Sequence, residues 1–422
     1  MVRLEIDKHC PNNITNFLLQ KHHLTTDDTY YCDGPVNIQR FMGVINNISR
    51  PDLCYPPFKP QYPPKLKFNS DIFSLLDKED LLLHHPYQSF EVVIDFVRQA
   101  AADPNVLAIK QTLYRTHSNS IIVKALVEAA RSGKEVTAVI ELRARFDEES
   151  NLRLANKLHE AGVLVLYGVV GYKTHAKMTL VVRRVGKSLK PYVHLGTGNY
   201  HEDTATRYTD FGLLTANETI THDTQIIFHQ LTGLGRAVKS KALFHAPFTL
   251  QQNLLSLIEA CSVTAKKGEK AEIIIKVNGL TDKTMIQALY EASQHGVKIS
   301  LIVRGVCCLK PGINGVSDNI NVISVVGRFL EHHRIYYFRN NKNEKLYCSS
   351  ADLMERNLYS RIEVMFPILD IACQKRIKQE IFKNYLKDNC DAWEMNSEGE
   401  YHPIRTGKHS AQLSLLELYG DL

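Results

Sequence analysis

The sequence predicts an α/β protein: two similar α/β domains in tandem, preceded by a fragment of a further domain. Three observations predict it. Strand and helix patterns alternate after about residue 65, and the same run of patterns recurs in the second half of the chain. The residues before 65 hold too little apolar periodicity for a core of their own. A length of 422 residues fits two or three domains, at roughly 100–200 residues each.

The expected boundaries are 1–65, 66–242 and 243–422. In the first segment, Ile14–Lys21 reads as a helix. Asp33-Gly34-Pro35 and Arg50-Pro51-Asp52 read as turns, and the prolines between Pro51 and Pro64 make Pro51–Lys65 an extended linker. Beyond it, Val106–Lys110 is a short apolar strand. Ile121–Ser132 has helical spacing, with Ile122, Leu126 and Ala129 on one face. Val136–Leu142 is a strand, Leu152–Ala161 a helix, and Val163–Val170 a buried strand.

The recurrence is visible residue by residue. Ala125-Leu126-Val127-Glu128-Ala129, Gly133 and the strand from Val136 are matched by Ala288-Leu289-Tyr290-Glu291-Ala292, Gly296 and the strand Val297–Val303. Upstream, Ala108-Ile109-Lys110 matches Ile274-Ile275-Lys276.

Composition excludes several classes. Hydrophobic residues make up 44% and charged residues 23%, ordinary for a globular protein. No run of about 18 apolar residues exists, so no transmembrane helix is expected, and Met1–Asn13 has no signal-peptide core. The nine cysteines form no CxxC pair and read as reduced thiols of a cytoplasmic protein rather than a zinc site. The net charge of +6 permits a polyanionic partner, but no aromatic-basic module for nucleic acid is present.

The residues suited to chemistry lie downstream of each repeated unit. Lys173-Thr174-His175-Ala176-Lys177 leads to a second strand ending in Gly196-Thr197-Gly198-Asn199. Likewise, Glu331-His332-His333-Arg334 leads to Ser349-Ser350-Ala351-Asp352. Residues i and i+2 of a strand share a face, so His175 would stand beside Lys177 and His332 beside Arg334. Neutral imidazole is a nucleophile, and a fixed cation stabilises charge on phosphoryl oxygens. The small residues at 196–198 and 349–351 would let backbone amides approach an anion. Asp210 and Glu363 come after the two histidines at comparable places. Each is expected to orient one imidazole, in its own half or the opposite one, or else to pair with Arg207 or Arg361.

A duplicated His-x-Lys with a Gly/Ser-x-x-Asn turn resembles the phospholipase D superfamily. The finer match resembles polyphosphate kinases of the phospholipase-D-like type. It runs in order through His84–Phe90, Ile109–Thr116, Glu141–Glu149, Lys173–Met178, His194–Tyr200, Tyr208–Gly212, Arg304–Leu309, Val326–Phe338 and Ser349–Asn357. The resemblance implies two phospholipase-D-like domains after a partial head domain, and reversible transfer of phosphate between ATP and inorganic polyphosphate.

It also implies roles. His175 matches the phosphorylated histidine and His332 the second catalytic histidine, with Lys177 and Arg334 stabilising the transferring group. Tyr208 and Arg304, with His332, match nucleotide contacts. Arg115 and Arg145 match arginines beside the magnesium–phosphate cluster. A guanidinium has no lone pair, so these two would hold phosphate oxygens near Mg²⁺ rather than the ion. ATP or ADP and polyphosphate are the implied partners, with a homo-oligomer and possible dependence on a separate N-terminal part.

Two rival readings remain. One is another phospholipase-D-like phosphodiesterase, whose usual motif puts Asp five residues beyond the lysine; Val182 and Arg339 stand there. The other is an inactive or partner-dependent polyphosphate binder.

Overall fold

The computed structural model describes residues 3–45, 47–66, 70–114, 116, 120–141, 148–169, 171–233 and 240–420, without the side chains of 39, 42, 148 and 150. The chain divides into two compact units, Met1–Pro57 and Phe58–Leu422.

The first unit holds the helix Asn12–His22, close to the expected one, and two short parallel strands, Leu4–Asp7 and Thr29–Cys32, which the sequence did not announce. Four-residue strands are too short to display an alternation. Pro51–Leu53 forms one tight turn of the proline-rich stretch.

The second unit contains the duplication. In the first half the strand order is Leu81–His85, Tyr208–Thr215, Ser188–Gly196, Lys177–Val185, Val106–Leu113, Glu135–Ile140 and Leu164–Leu166. The second half repeats it with Phe244–Ala246, Arg361–Pro367, Asn343–Ser349, Arg334–Asn340, Ala271–Val277, Lys298–Val303 and Ile320–Val325. Directions also match. Val106–Leu113 and Ala271–Val277 each pair parallel on one side and antiparallel on the other. The expected helices are present as Ile121–Arg131 and Lys283–Gln294. Each is followed by a glycine at positive φ, Gly133 at 84° and Gly296 at 91°, which ends the helix and feeds the next strand.

One expectation is corrected. Val163–Val170 is not a buried strand: only Leu164–Leu166 pairs, at the sheet edge, and Leu164 is 52% exposed. The chain turns at once through Gly168 at φ 69° and Gly171 at φ 88°.

The two sheets share a core. Met178, Leu195, Phe211 and Leu213 of the first half belong to one apolar cluster with Ile335, Cys348, Val364 and Phe366 of the second. The opposite faces are covered by helices, Glu91–Ala102 and Ile121–Arg131 over one sheet and Leu250–Lys266 and Lys283–Gln294 over the other. Strand alternation sorts the residues: Met178 and Leu180 face the shared core and Val181 the helices. Each large side chain buried there contributes about 1.5–3 kcal/mol. The halves are thereby fused into one body, with the repeated histidine segments at their junction.

Candidate active site

The site is built by two crossing strand bridges. Lys173–Thr174 leaves its own half and pairs parallel with Arg361–Pro367 of the other, Thr174 opposite Ile362. Leu330–Glu331 crosses the other way and pairs with Tyr208–Thr215, Glu331 opposite Thr209. Register then dictates the outcome. The residue after each bridge is a histidine, and the residue after its partner is a carboxylate of the opposite half.

Accordingly, His175 Nδ1 lies 2.8 Å from Glu363 Oε2. His332 Nδ1 lies 2.9 Å from both oxygens of Asp210. The alternative pairings with Arg207 and Arg361 are not made by these carboxylates. Each carboxylate is held by a hydroxyl from the small-residue turn of its own half. Ser350 donates to Glu363 at 2.5 Å and Thr197 to Asp210 at 2.6 Å, while Asn357 adds a donor to Glu363 at 2.6 Å. Sequence reasoning gave the backbone at Thr197 and Ser350 a role in approaching an anion, but gave none to their hydroxyls or to Asn357.

The small-residue turns also serve the carboxylates. A Cβ on Gly198 would lie 2.1 Å from Asp210 Oδ2, so the close approach is to Asp210 itself. The Thr197 amide is already spent on the Phe211 carbonyl and the Ser350 amide on that of Val364.

The histidines also do not lie within a regular strand. The His175 and Ala176 amides both donate to the Ile362 carbonyl, at 2.9 and 2.8 Å, and the long strand starts only at Lys177. In the second half it starts at Arg334. The break between bridge and strand is what lets each imidazole face the other half.

Burial pushes His175 down to about 3, with Lys177 and Arg361 adding to the effect and Glu363 opposing it. Burial would raise Glu363, but His175, Lys177 and Ser350 hold it below its ordinary value. His332 is likewise lowered by burial and Arg334. An ionised carboxylate takes the Nδ1–H of each ring, so each Nε2 carries the lone pair. In His332 that lone pair faces Arg334 Nη1 at 3.1 Å.

The cations are placed differently in the two halves. Lys177 is buried, donates to the His175 carbonyl and lies 5.3 Å from the centre of the Tyr114 ring. Tyr114 meets the His175 ring edge-on at 5.1 Å, a contact without a sequence signal beyond its place in the matched stretch. Arg334 is buried and bidentate on Asp352, at 3.1 and 2.9 Å, and also donates to the Thr197 carbonyl at 3.3 Å. Burial opposes ionisation of Asp352, yet Arg334 and the Asn278 amide keep it well below the usual carboxylate range.

Beside this centre, Tyr208 packs against His332 with ring centres 5.2 Å apart. Arg304 donates through Nε to Asn278 at 3.1 Å and to the Glu331 carbonyl at 2.6 Å. His175, Lys177, His332, Arg334, Tyr208 and Arg304 thus fall into one connected region. Arg115 and Arg145 lie outside the described residues. Among the described residues, no group of three or more His, Cys, Asp or Glu side chains is arranged to hold a metal ion.

Both the sheet order and the crossed histidine–carboxylate pairs define a duplicated α/β fold of the phospholipase-D-like kind. A phosphatidylserine synthase from Haemophilus influenzae shares the fold alone, with a TM-score of 0.50 at 11% identity over 81% of this chain and 93% of that one. Residues 71–237 match the family Polyphosphate kinase C-terminal domain 1, and residues 243–414 match Polyphosphate kinase C-terminal domain 2. The chain belongs to the polyphosphate kinase family. It is 54% identical to the polyphosphate kinase of Pseudomonas aeruginosa over 99% of its own length, and 53% identical to that of Xylella fastidiosa. The crystal structure of polyphosphate kinase from Porphyromonas gingivalis superposes with a TM-score of 0.87 at 33% identity, over 99% of this chain and 64% of that one. The chain spans 61% of the length of the Pseudomonas relative and 60% of the Xylella one.

Proposed function

We propose that the chain transfers the γ-phosphoryl group of ATP reversibly to inorganic polyphosphate through a phosphohistidine at His175. The observation that carries this reading is the 2.8 Å contact between His175 Nδ1 and Glu363, which leaves Nε2 unprotonated and aimed away from its orienting carboxylate. His175 Nε2 attacks the γ-phosphorus. The new N–P bond forms as the bond to the bridging oxygen breaks, and ADP leaves with that electron pair. A terminal oxygen of polyphosphate then attacks the same phosphorus, and the N–P electron pair returns to Nε2. Lys177, which donates to the His175 carbonyl and lies over the Tyr114 ring that packs on His175, stabilises the equatorial oxygens. Once its Nε2 has taken up a proton, His332, held by Asp210 and backed by Arg334, clamps the phosphoryl group or supplies its proton from the opposite half. Tyr208 and Arg304 take the nucleotide.

Magnesium enters this reading as the counter-ion of the nucleotide phosphates, hence as part of the substrate, with Arg115 and Arg145 on phosphate oxygens nearby. We read 1–65 as a partial head segment and 66–242 and 243–422 as the two catalytic halves. Nine cysteines without a disulfide suit a reducing cytoplasm. No helix among the described residues is long and apolar enough to cross a membrane. Exposed apolar side chains in Met1–Pro57, Phe17, Tyr31 and Ile38 among them, support a reading in which this unit is covered by a further N-terminal part or a second copy.

The test is incubation with γ-labelled ATP and magnesium, beside a His175→Ala control. Acid-labile, alkali-stable label that is absent from the control and chases into polymer is the expected result. Label persisting in His175→Ala would overturn the assignment of the nucleophile. Polyphosphate binding with no label at all would overturn the activity.

A further inference from the structure

Glu331, the residue before His332, is only 2% exposed, yet the proposed reaction gives it no role. Its Oε2 accepts from Lys276 Nζ at 2.7 Å and from the Thr209 hydroxyl at 3.0 Å. Its Oε1 accepts from the Tyr385 hydroxyl at 2.9 Å and from Gln412 Nε2 at 2.5 Å. Its main-chain oxygen accepts from Arg304 Nε at 2.6 Å.

These partners come from separate parts of the molecule. Thr209 belongs to the first half and sits between Tyr208 and Asp210; its hydroxyl also accepts from the His332 amide at 3.1 Å. Lys276 comes from the strand Ala271–Val277 and also lies 3.0 Å from His333 Nδ1. Gln412 belongs to the helix Ala411–Tyr419 and grips the chain just upstream through the Phe329 amide, at 2.9 Å, and carbonyl, at 2.9 Å. One buried residue therefore joins these parts: its carboxylate reaches His332 and Tyr208 by way of Thr209 and the C-terminal helix by way of Gln412, while its main-chain oxygen holds Arg304. The matching position in the first half carries Thr174, whose hydroxyl has no hydrogen-bond partner among the described residues. Among the described residues, the side chain at the matching position of the first half thus forms no such hub.

A buried ion pair contributes little to stability compared with apolar residues of the same volume. Its several hydrogen bonds instead fix geometry, because a buried carboxylate is tolerated only where every partner is in place. We propose that Glu331 is a positioning residue: it sets His332, Tyr208 and Arg304 against one another and ties them to the C-terminal helix, so that the nucleotide side of the site depends on the packing of that helix. This rests on reading the site as that of a polyphosphate kinase.

The test uses the full chain and two variants. Tyr385→Phe removes one hydroxyl and keeps the shape. The double variant Lys276→Met/Glu331→Gln removes both charges together, so that neither is left buried alone. Label incorporation is measured against ATP concentration, half-saturation is measured separately for polyphosphate, and thermal unfolding is followed. The expected result is a half-saturating ATP concentration raised about threefold by Tyr385→Phe and about tenfold or more by the double variant, with half-saturating polyphosphate unchanged. Equal loss for both substrates, in step with a fall in melting temperature, would reduce Glu331 to a structural role. Variants that label like the parent at every ATP concentration would overturn the proposal while leaving the reaction intact. A parent chain that takes no label would overturn the underlying reading, and this proposal with it. Should the double variant fail to fold, Tyr385→Phe alone decides the matter.

Discussion

Glu363 Oε2 stands 2.8 Å from His175 Nδ1, although the two residues belong to opposite halves of the duplication. Asp210 and His332 repeat the arrangement in reverse. Neither of these two pairs therefore lies within one half, and each of the two imidazoles is oriented only when the two sheets are docked. The shared apolar core and the two bridge strands enforce that docking.

Glu363→Gln should slow labelling of His175 by about a thousandfold, since an amide can turn its NH₂ toward Nδ1 and move the ring proton onto Nε2. Ser350→Ala should cost only about tenfold, because the hydroxyl orients Glu363 and leaves its charge in place. Quenched-flow measurement of label formation checks both. Similar rates in Glu363→Gln and the parent would remove Glu363 from the mechanism.

How far this was legible in the sequence depends on what each residue needs. His175, Lys177, His332 and Arg334 stood out because a repeated spacing marks them twice. Asp210 and Glu363 were visible as acids at comparable places, but their crossed assignment was left open. It depends on Lys173–Thr174 and Leu330–Glu331, bridge strands of two residues that carry no periodic signal. Thr209, Tyr385 and Gln412 meet at Glu331 from positions far apart in the chain, and nothing local distinguishes them. The expected strand across Val163–Val170 failed because apolar runs are shared by edge strands and turns, and Gly168 and Gly171 end it.

Arg334→Lys should be far from conservative. The guanidinium makes two parallel contacts to Asp352 and reaches Thr197 and His332 as well, a fork that an ammonium cannot reproduce. Loss of about 1–3 kcal/mol in stability is expected from the buried contacts left unmade. Turnover should fall about a hundredfold as His332 loses its partner. Chemical denaturation and steady-state assays of the purified variant measure the two effects; retention of normal turnover would show that Arg334 serves packing only.

Gly198→Ala tests the close approach of the turn to Asp210. The new methyl would fall 2.1 Å from Oδ2 and 2.3 Å from the carboxyl carbon, so the carboxylate must shift and carry the His332 ring with it. Overpacking of this kind costs about 1–3 kcal/mol. The functional signature should match that of Asp210→Asn: label still forms on His175, oriented by Glu363, but passes to polyphosphate about a hundredfold more slowly. Pulse-chase of the labelled protein separates the steps. Equal losses in formation and transfer would mean that the two histidines do not divide the work.

Acid should separate the stability of the protein from the state of its nucleophile. Burial lowers His175 to about 3; it lowers His194 to about 3 with help from His85, and His85 itself to about 4. In the unfolded chain the same rings titrate at about 6.5. Between that value and the folded ones, the unfolded state binds protons that the folded state refuses. Stability is therefore present above about pH 6.5 and is lost as pH falls, by about 1.4 kcal/mol per pH unit for each such ring. Asp210 and Glu363, held below their ordinary values, lose stability in the same direction but only at lower pH. The His175 lone pair stays free throughout. The melting temperature should hold between about pH 8 and 6.5 and drop steeply below that, while the rate of label formation per folded molecule changes by less than about threefold from about pH 8 to 5.5. Calorimetry and single-turnover labelling on the same samples test this. A labelling rate that falls with an apparent pKa near about 6.5 would show that His175 titrates as an exposed histidine and that burial does not hold it neutral.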